Sequence, residues 1–160
     1  MNEPWRAMSM CRDFCGPWNG TRRELSSPRG WDGLSGDERD VLVRFLRELG
    51  EVPDELHTHV PVGLLPEVFE TEEDPAIRFC IIGRWPFRID ACLRFGDEWW
   101  LVECKQDAGH ACIGQALFYW FLWCRDVIAK RATRSVVACK RCDPQVGNFA
   151  RRVGLDVVVV

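Results

Sequence analysis

From Ser35 onward the apolar and polar residues fall into regular periods. The stretch Gly-Asp-Glu-Arg-Asp-Val-Leu-Val-Arg-Phe-Leu-Arg-Glu-Leu-Gly puts Val41, Leu42, Phe45, Leu46 and Leu49 on one helical face and ends at Gly50. Acidic residues in the first turn and a glycine stop complete the signature of an amphipathic helix. After the turn Val52-Pro53-Asp54, His57 to Val62 reads as a short strand, Leu64 to Pro75 as an acidic loop and Ile77 to Ile82 as a strand. Phe87 to Phe95 and Glu98 to Lys105 are β-rich runs joined by Gly96-Asp97, a pair suited to a tight hairpin turn.

The apolar run that follows predicts a core helix from about Cys112 to Ala129. A strand near Arg134 to Cys139 comes next, then a helix opened by Asp143-Pro144 as N-cap and first residue and closed by Gly154. Leu155 to Val160 is a continuous apolar run, expected as a strand buried on both faces of a sheet. Strands separated by helices need crossover connections, so the later strands should run parallel. The expectation is an α/β fold: a mixed central sheet with an antiparallel hairpin, parallel later strands and helices on both faces. Residues 1–35, rich in Pro, Gly, Arg, Ser and Trp without a period, read as an N-terminal arm before a domain spanning 36–160.

The hairpin carries the chemistry. With Gly96-Asp97 as the turn, Phe95 pairs with Glu98, and counting outward sets Asp90 opposite Glu103 and Arg88 opposite Lys105. Side chains alternate along a strand, so the two carboxylates share one face. Like charges so placed destabilise a sheet unless something compensates. A divalent cation does so, since Mg²⁺ takes one or two carboxylates with water and phosphate oxygens. The plain alternative is a surface hairpin with weak exposed ion pairs. Trp99-Trp100-Leu101-Val102 is too apolar for an exposed edge, which puts the acids at the end of a buried strand, where charges need partners. Gln115 and Tyr119 share a face of the following helix, and the acidic site is the expected partner of this lone glutamine.

Composition changes little in this picture. The charged share of 28% is ordinary for a globular chain, and the net charge of -3 argues against a generic nucleic-acid coat. The distribution is uneven: residues 1–83 hold 9 Lys+Arg against 16 Asp+Glu, and residues 84–160 hold 12 against 8, so the half with the acidic pair is the basic one. No secretory signal is visible, and the longest apolar run, Ala111 to Cys124, is 14 residues, too short to span a bilayer; no membrane partner and a cytoplasmic location are expected, host cytoplasm for a viral protein. Nine cysteines without an export signal point to reduced thiols. Cys11, Cys15, Cys139 and Cys142 form two close pairs that could hold Zn²⁺ if they met in space, and His57-x-His59 puts two imidazoles on one strand face, with His110 ahead of the apolar helix.

Arg88-Ile89-Asp90-Ala91, Val102-Glu103-Cys104-Lys105 and Ile113-Gly114-Gln115-Ala116-Leu117-Phe118-Tyr119 together resemble the PD-(D/E)xK nuclease superfamily, in particular its RecB-type branch. Each motif is short; their order and spacing over residues 36 to about 160 carry the likeness. The resemblance implies a restriction-endonuclease-like core and a divalent-metal-dependent DNA nuclease using Mg²⁺ or Mn²⁺. On it, Asp90 and Glu103 are the metal-binding carboxylates, Lys105 orients water and Gln115 with Tyr119 positions substrate. Glu38 is the first-helix acid, with Glu67 and Glu70 as rivals, and Ile89 stands where the proline of the family's name would be. Arg84, Arg88, Lys130, Arg131, Arg134, Lys140 and Arg141 are the candidates for phosphate contacts. Many relatives act as dimers, and some carry an iron-sulfur cluster whose cysteine spacing this chain does not match. Two other readings stand beside the enzyme: a catalytically silent nuclease-fold module binding nucleic acid or protein, and a zinc-stabilised interaction protein.

Overall fold

A computed structural model describes residues 34–63, 74, 87–126 and 132–160. The amphipathic helix is α1, Gly36–Leu49, opened by a capping box in which Ser35 and Glu38 satisfy each other's backbone N–H and closed by Gly50 in the left-handed region at φ 73°. Strands β1 (Glu55–Pro61), β2 (Arg88–Phe95) and β3 (Glu98–Ala108) follow, then helix α2 (His110–Asp126), strand β4 (Ala132–Cys142), helix α3 (Pro144–Arg152) and strand β5 (Asp156–Val159). One sheet contains the five described strands in the order β1-β2-β3-β4-β5. β1, β2 and β3 pair antiparallel, and β3, β4 and β5 pair parallel. The long crossovers of α2 and α3 therefore carry parallel connections, as the sequence order requires.

Two cores sandwich the sheet. On one side, Val41, Leu42, Phe45 and Leu46 of α1 pack on Leu56, Ala91, Leu93, Val102, Cys104, Val136 and Ala138. On the other, Tyr119, Leu122 and Trp123 of α2 meet Val60, Ile89, Cys92, Trp99 and Leu101, while Cys112, Ile113 and Ala116 join Val137, Cys139 and Ala150 of α3. Alternate residues of β3 and β4 thus go to opposite cores, which is the two-residue period of a strand covered on both faces.

Two expectations need correction. Leu155–Val160 is not a strand buried on both faces: among the described residues β5 is the sheet edge, its residues are half-buried and Val159 is 56% exposed. A run of valines reads the same on an edge as in a centre. Nor is α2 enclosed all round, since Phe118, Trp120 and Phe121 are exposed on its outer side. The arm up to residue 33, most of the acidic loop and the strand expected over Ile77–Ile82 lie outside the described residues. Among the described residues no helix is long and apolar enough to cross a membrane.

Candidate metal centre

The hairpin register is the one set by its turn. Gly96 takes φ 58°, a left-handed conformation that glycine adopts without the Cβ penalty, and the ladder runs from Phe95↔Glu98 to Ala91↔Val102. Asp90 and Glu103 are the next residues outward. There the side chain of Asp90 meets the facing strand: the Cys104 N–H donates to Asp90 Oδ2 at 2.8 Å. Lys105 Nζ donates to that same oxygen at 3.3 Å and to Glu103 Oε1 at 3.1 Å. Both acids thus converge on one ammonium.

Neither acid has much water. Asp90 is 6% exposed and Glu103 2%. Burial raises the pKa of Asp90 despite Lys105 and the Cys104 N–H. Burial and then the charge of Asp90 push Glu103 up to about 8, against the pull of Lys105. For Lys105 burial works downward, but the charges of Glu103 and Asp90 outweigh it, so the ammonium holds its proton more tightly than a free lysine. The Cys104 thiol, packed in the α1-side core, is pushed well up, chiefly by burial, and stays protonated.

Helix α1 and strand β1 complete the cluster. Glu38 uses its two oxygens differently: Oε2 accepts the Ser35 N–H at 2.8 Å, while Oε1 stands in an ion pair 4.0 Å from Lys105 Nζ. The cap and the site are served by one side chain. His59 interrupts β1 with φ 53°, the one non-glycine residue with positive φ among those described. Around it the strand turns over: Leu56 packs with α1, whereas Val60, which strict alternation would place on the same face, packs with α2. The partner strand does likewise, Ala91 facing α1 and Ile89 facing α2. Burial, and then Arg88, lower the pKa of His59, favouring the neutral imidazole.

One set of side chains among the described residues has metal-ligand geometry: Glu38, His59 and Asp90 each offer a donor atom, all within 4.8 Å of one another. Glu103 lies outside that trio and joins it through Lys105. Its Oε2 is buried without a hydrogen-bond partner, an atom that costs free energy until a cation or water meets it. Carboxylates and an imidazole, with an orphaned carboxylate oxygen beside them, fit a divalent cation.

The other sequence candidates are placed as follows. Gln115 Nε2 donates to the Tyr119 hydroxyl at 3.0 Å, so the glutamine finds its partner on its own helix rather than among the acids; Tyr119 is buried in the α2 core. Arg88 is half-buried two residues from Asp90. Arg134 is tied to Asp156 and stacks on Trp100, Lys140 bonds Asp40 at 2.7 Å, and Arg141 is bidentate on Asp107. These three cations already have carboxylate partners. Arg84, Lys130, Arg131, Glu67, Glu70, Cys11 and Cys15 lie outside the described residues, while Cys139 and Cys142 are free thiols. His57 is buried with Nε2 2.9 Å from Glu55 Oε2, and His110 is exposed at the start of α2.

Fold and site define an open mixed α/β sheet with an acid, lysine and imidazole cluster where β1, β2 and β3 meet the first turn of α1. Comparisons with models of protein families, with curated proteins and with solved structures find no match for this chain.

Proposed function

We propose that the chain is a divalent-metal-dependent DNA nuclease of the PD-(D/E)xK type, built on a restriction-endonuclease-like core. The observation that carries this reading is the convergence of Asp90 and Glu103 on Lys105, with Glu38 beside them. Asp90, Glu103 and Glu38 supply oxygen donors for Mg²⁺ or Mn²⁺. A cation held there supplies Lewis acidity toward a phosphodiester oxygen and lowers the pKa of a nearby water. Lys105 keeps a fixed positive charge beside the acids, and in the reaction it orients the attacking water or meets the charge growing on the phosphate. The shared hydrogen bonds to Asp90 and Glu103 hold its ammonium in place, so little reorganisation is needed. Arg88, next to the site on β2, is the described cation best placed to meet an adjacent phosphate. A homodimer would suit a nuclease that cuts both strands of a duplex.

Cleavage of single-stranded, duplex, flap and junction DNA with Mg²⁺ or Mn²⁺ tests the reading. The wild type should cut at least one of these, and Asp90→Ala and Lys105→Ala should each lose about 10²-fold or more. Equal cleavage by all three proteins would show that the chemistry lies elsewhere. Metal-dependent DNA binding without cleavage would favour the catalytically silent module.

A further inference from the structure

We propose that the outer face of α2 is the contact surface for a second copy of this chain, with the two α2 helices packed antiparallel across a twofold axis. None of the residues on that face belongs to the acidic cluster. The surface therefore stands or falls whether or not the chain is a nuclease.

One side of α2 is accounted for by the core, where Cys112, Ile113, Ala116, Tyr119, Leu122 and Trp123 are buried. A helix on a protein surface ordinarily turns polar residues outward. Here the outward side is apolar: Phe118, Trp120 and Phe121 are 41–56% exposed, and Phe87, 37% exposed, meets Phe118 edge-on with ring centroids 5.3 Å apart. At about 200 Å² per aromatic side chain, these four leave roughly 350 Å² in water. Ala111, Gly114, Leu117 and Cys124 surround them and carry the face to about the 500 Å² per partner at which specific interfaces begin.

Charge and size together select the occupant. Arg125 and Asp126 are the only fixed charges along α2, and the Arg125 guanidinium lies over the Phe121 ring, 5.8 Å from its centroid. A face with no net charge gives a nucleic-acid backbone little to hold and suits apolar protein surface. The size pattern says which surface. Small residues, Ala111 and Gly114, lie in the N-terminal half of the face, and large ones, Phe118 and Phe121, in the C-terminal half. The notch at Gly114 is open, since a Cβ built there meets nothing within 4 Å.

Two such faces fit each other head to tail. Setting Gly114 of one copy opposite Phe121 of the second sets Ala111 opposite Cys124 and puts the twofold axis between Leu117 and Phe118, beside the middle of the 17-residue helix. The large half of each helix then fills the small half of the other, and both helices are used along their whole length. This is the self-complementarity that an isologous interface requires. The same pairing carries Asp126 of each copy to the first turn of the other α2, which has no acidic residue of its own and presents the positive end of the helix.

Sedimentation equilibrium of the full chain, reduced and in chelator, tests the surface without engaging a metal. An interface of this size should give a dimer in the range of about 1–100 μM. Gly114→Phe places a ring where the monomer has open space and replaces a poor helix former, so the fold is kept while the notch is blocked. It should weaken the dimer about tenfold or more, as should Phe121→Ala, which removes the residue that fills the notch. The double variant Gly114→Phe/Phe121→Ala moves the bulk to the other half of each helix and should recover most of the lost affinity, which neither a folding defect nor a merely sticky surface would do. A wild type that stays monomeric at 100 μM, or a dimer that ignores both single changes, overturns the proposal. Weakening by the single changes without recovery in the double variant overturns the antiparallel pairing. Loss of single-stranded DNA binding by a monomeric Phe121→Ala protein, with wild type also monomeric, would give the face to nucleic acid instead.

Discussion

The two ends of the β2–β3 hairpin each set one base between two acids, but in different surroundings. At the turn, Arg94 Nε donates to Glu55 Oε1 at 3.0 Å, its guanidinium bonds the Gly96 carbonyl, and Asp54 caps the Gly96 N–H at 2.7 Å. There one base meets two acids, but Asp54 is 53% exposed and His57 Nε2 gives Glu55 a second contact. At the open end, Asp90 and Glu103 are buried with Lys105 between them, two acids to one base. Ion pairs near the surface are worth little, while an excess buried charge is costly unless something further neutralises it. The turn end holds the register, and the open end buries two acids, an imbalance met in the metal-free protein by a proton on Glu103. Burial of both acids sets the open end apart from the ion pairs at the turn.

Substitutions can break this contrast. Lys105→Met should have the largest effect, leaving two buried acids facing each other; partial exposure of the lysine keeps the loss to roughly 2–3 kcal/mol in urea unfolding at pH 7, short of that for a fully buried pair. The Arg94→Ala change at the turn should cost about 0.5–1 kcal/mol, and an equal loss at the two ends would erase the distinction.

Next in size is a pH effect. Glu103 has a folded pKa of about 8 against 4.5 unfolded, so the native state holds the extra proton between those values. Stability of the metal-free protein should be fully present below pH 4.5 from this group and fall as pH rises toward 8, with a limiting slope of about 1.4 kcal/mol per pH unit. Glu103→Gln should flatten that fall in chelator-treated protein and be more stable than wild type at pH 8 and above. A parallel pair of stability curves would show that the carboxyl is not the group titrating.

The smallest effect is expected from Gly96→Ala. Open space surrounds a Cβ at this position, so the cost is that of φ 58° alone, about 1 kcal/mol in thermal unfolding, with the site's metal affinity unchanged. A change in metal affinity would mean that the turn does more than hold register.

Much of the fold was legible because local signals agreed with one another. The heptad-like spacing of Val41, Leu42, Phe45 and Leu46 before Gly50 fits one helix, and Gly96-Asp97 admits one register, from which the meeting of Asp90 and Glu103 follows by counting. Glu38 was legible only as one of several acids, because a capping glutamate and a site glutamate have the same pattern; it caps α1 and also stands 4.0 Å from Lys105 Nζ. What stayed hidden depended on tertiary context. No residue type near His59 signals a left-handed strand residue, so the imidazole could be named as a candidate but not placed beside Asp90. The outer face of α2 and the edge position of β5 were hidden for the same reason: an apolar run reports hydrophobicity, not which neighbours cover it.

On the proposed reading, the buried acids at the open end of the hairpin hold a cation, which displaces the proton of Glu103. Anomalous scattering from crystals of the full chain grown in Mn²⁺ tests it most directly. A peak is expected in contact with the Asp90 carboxylate and absent from Asp90→Asn crystals; ordered protein with no peak at Asp90 would rule the cation site out.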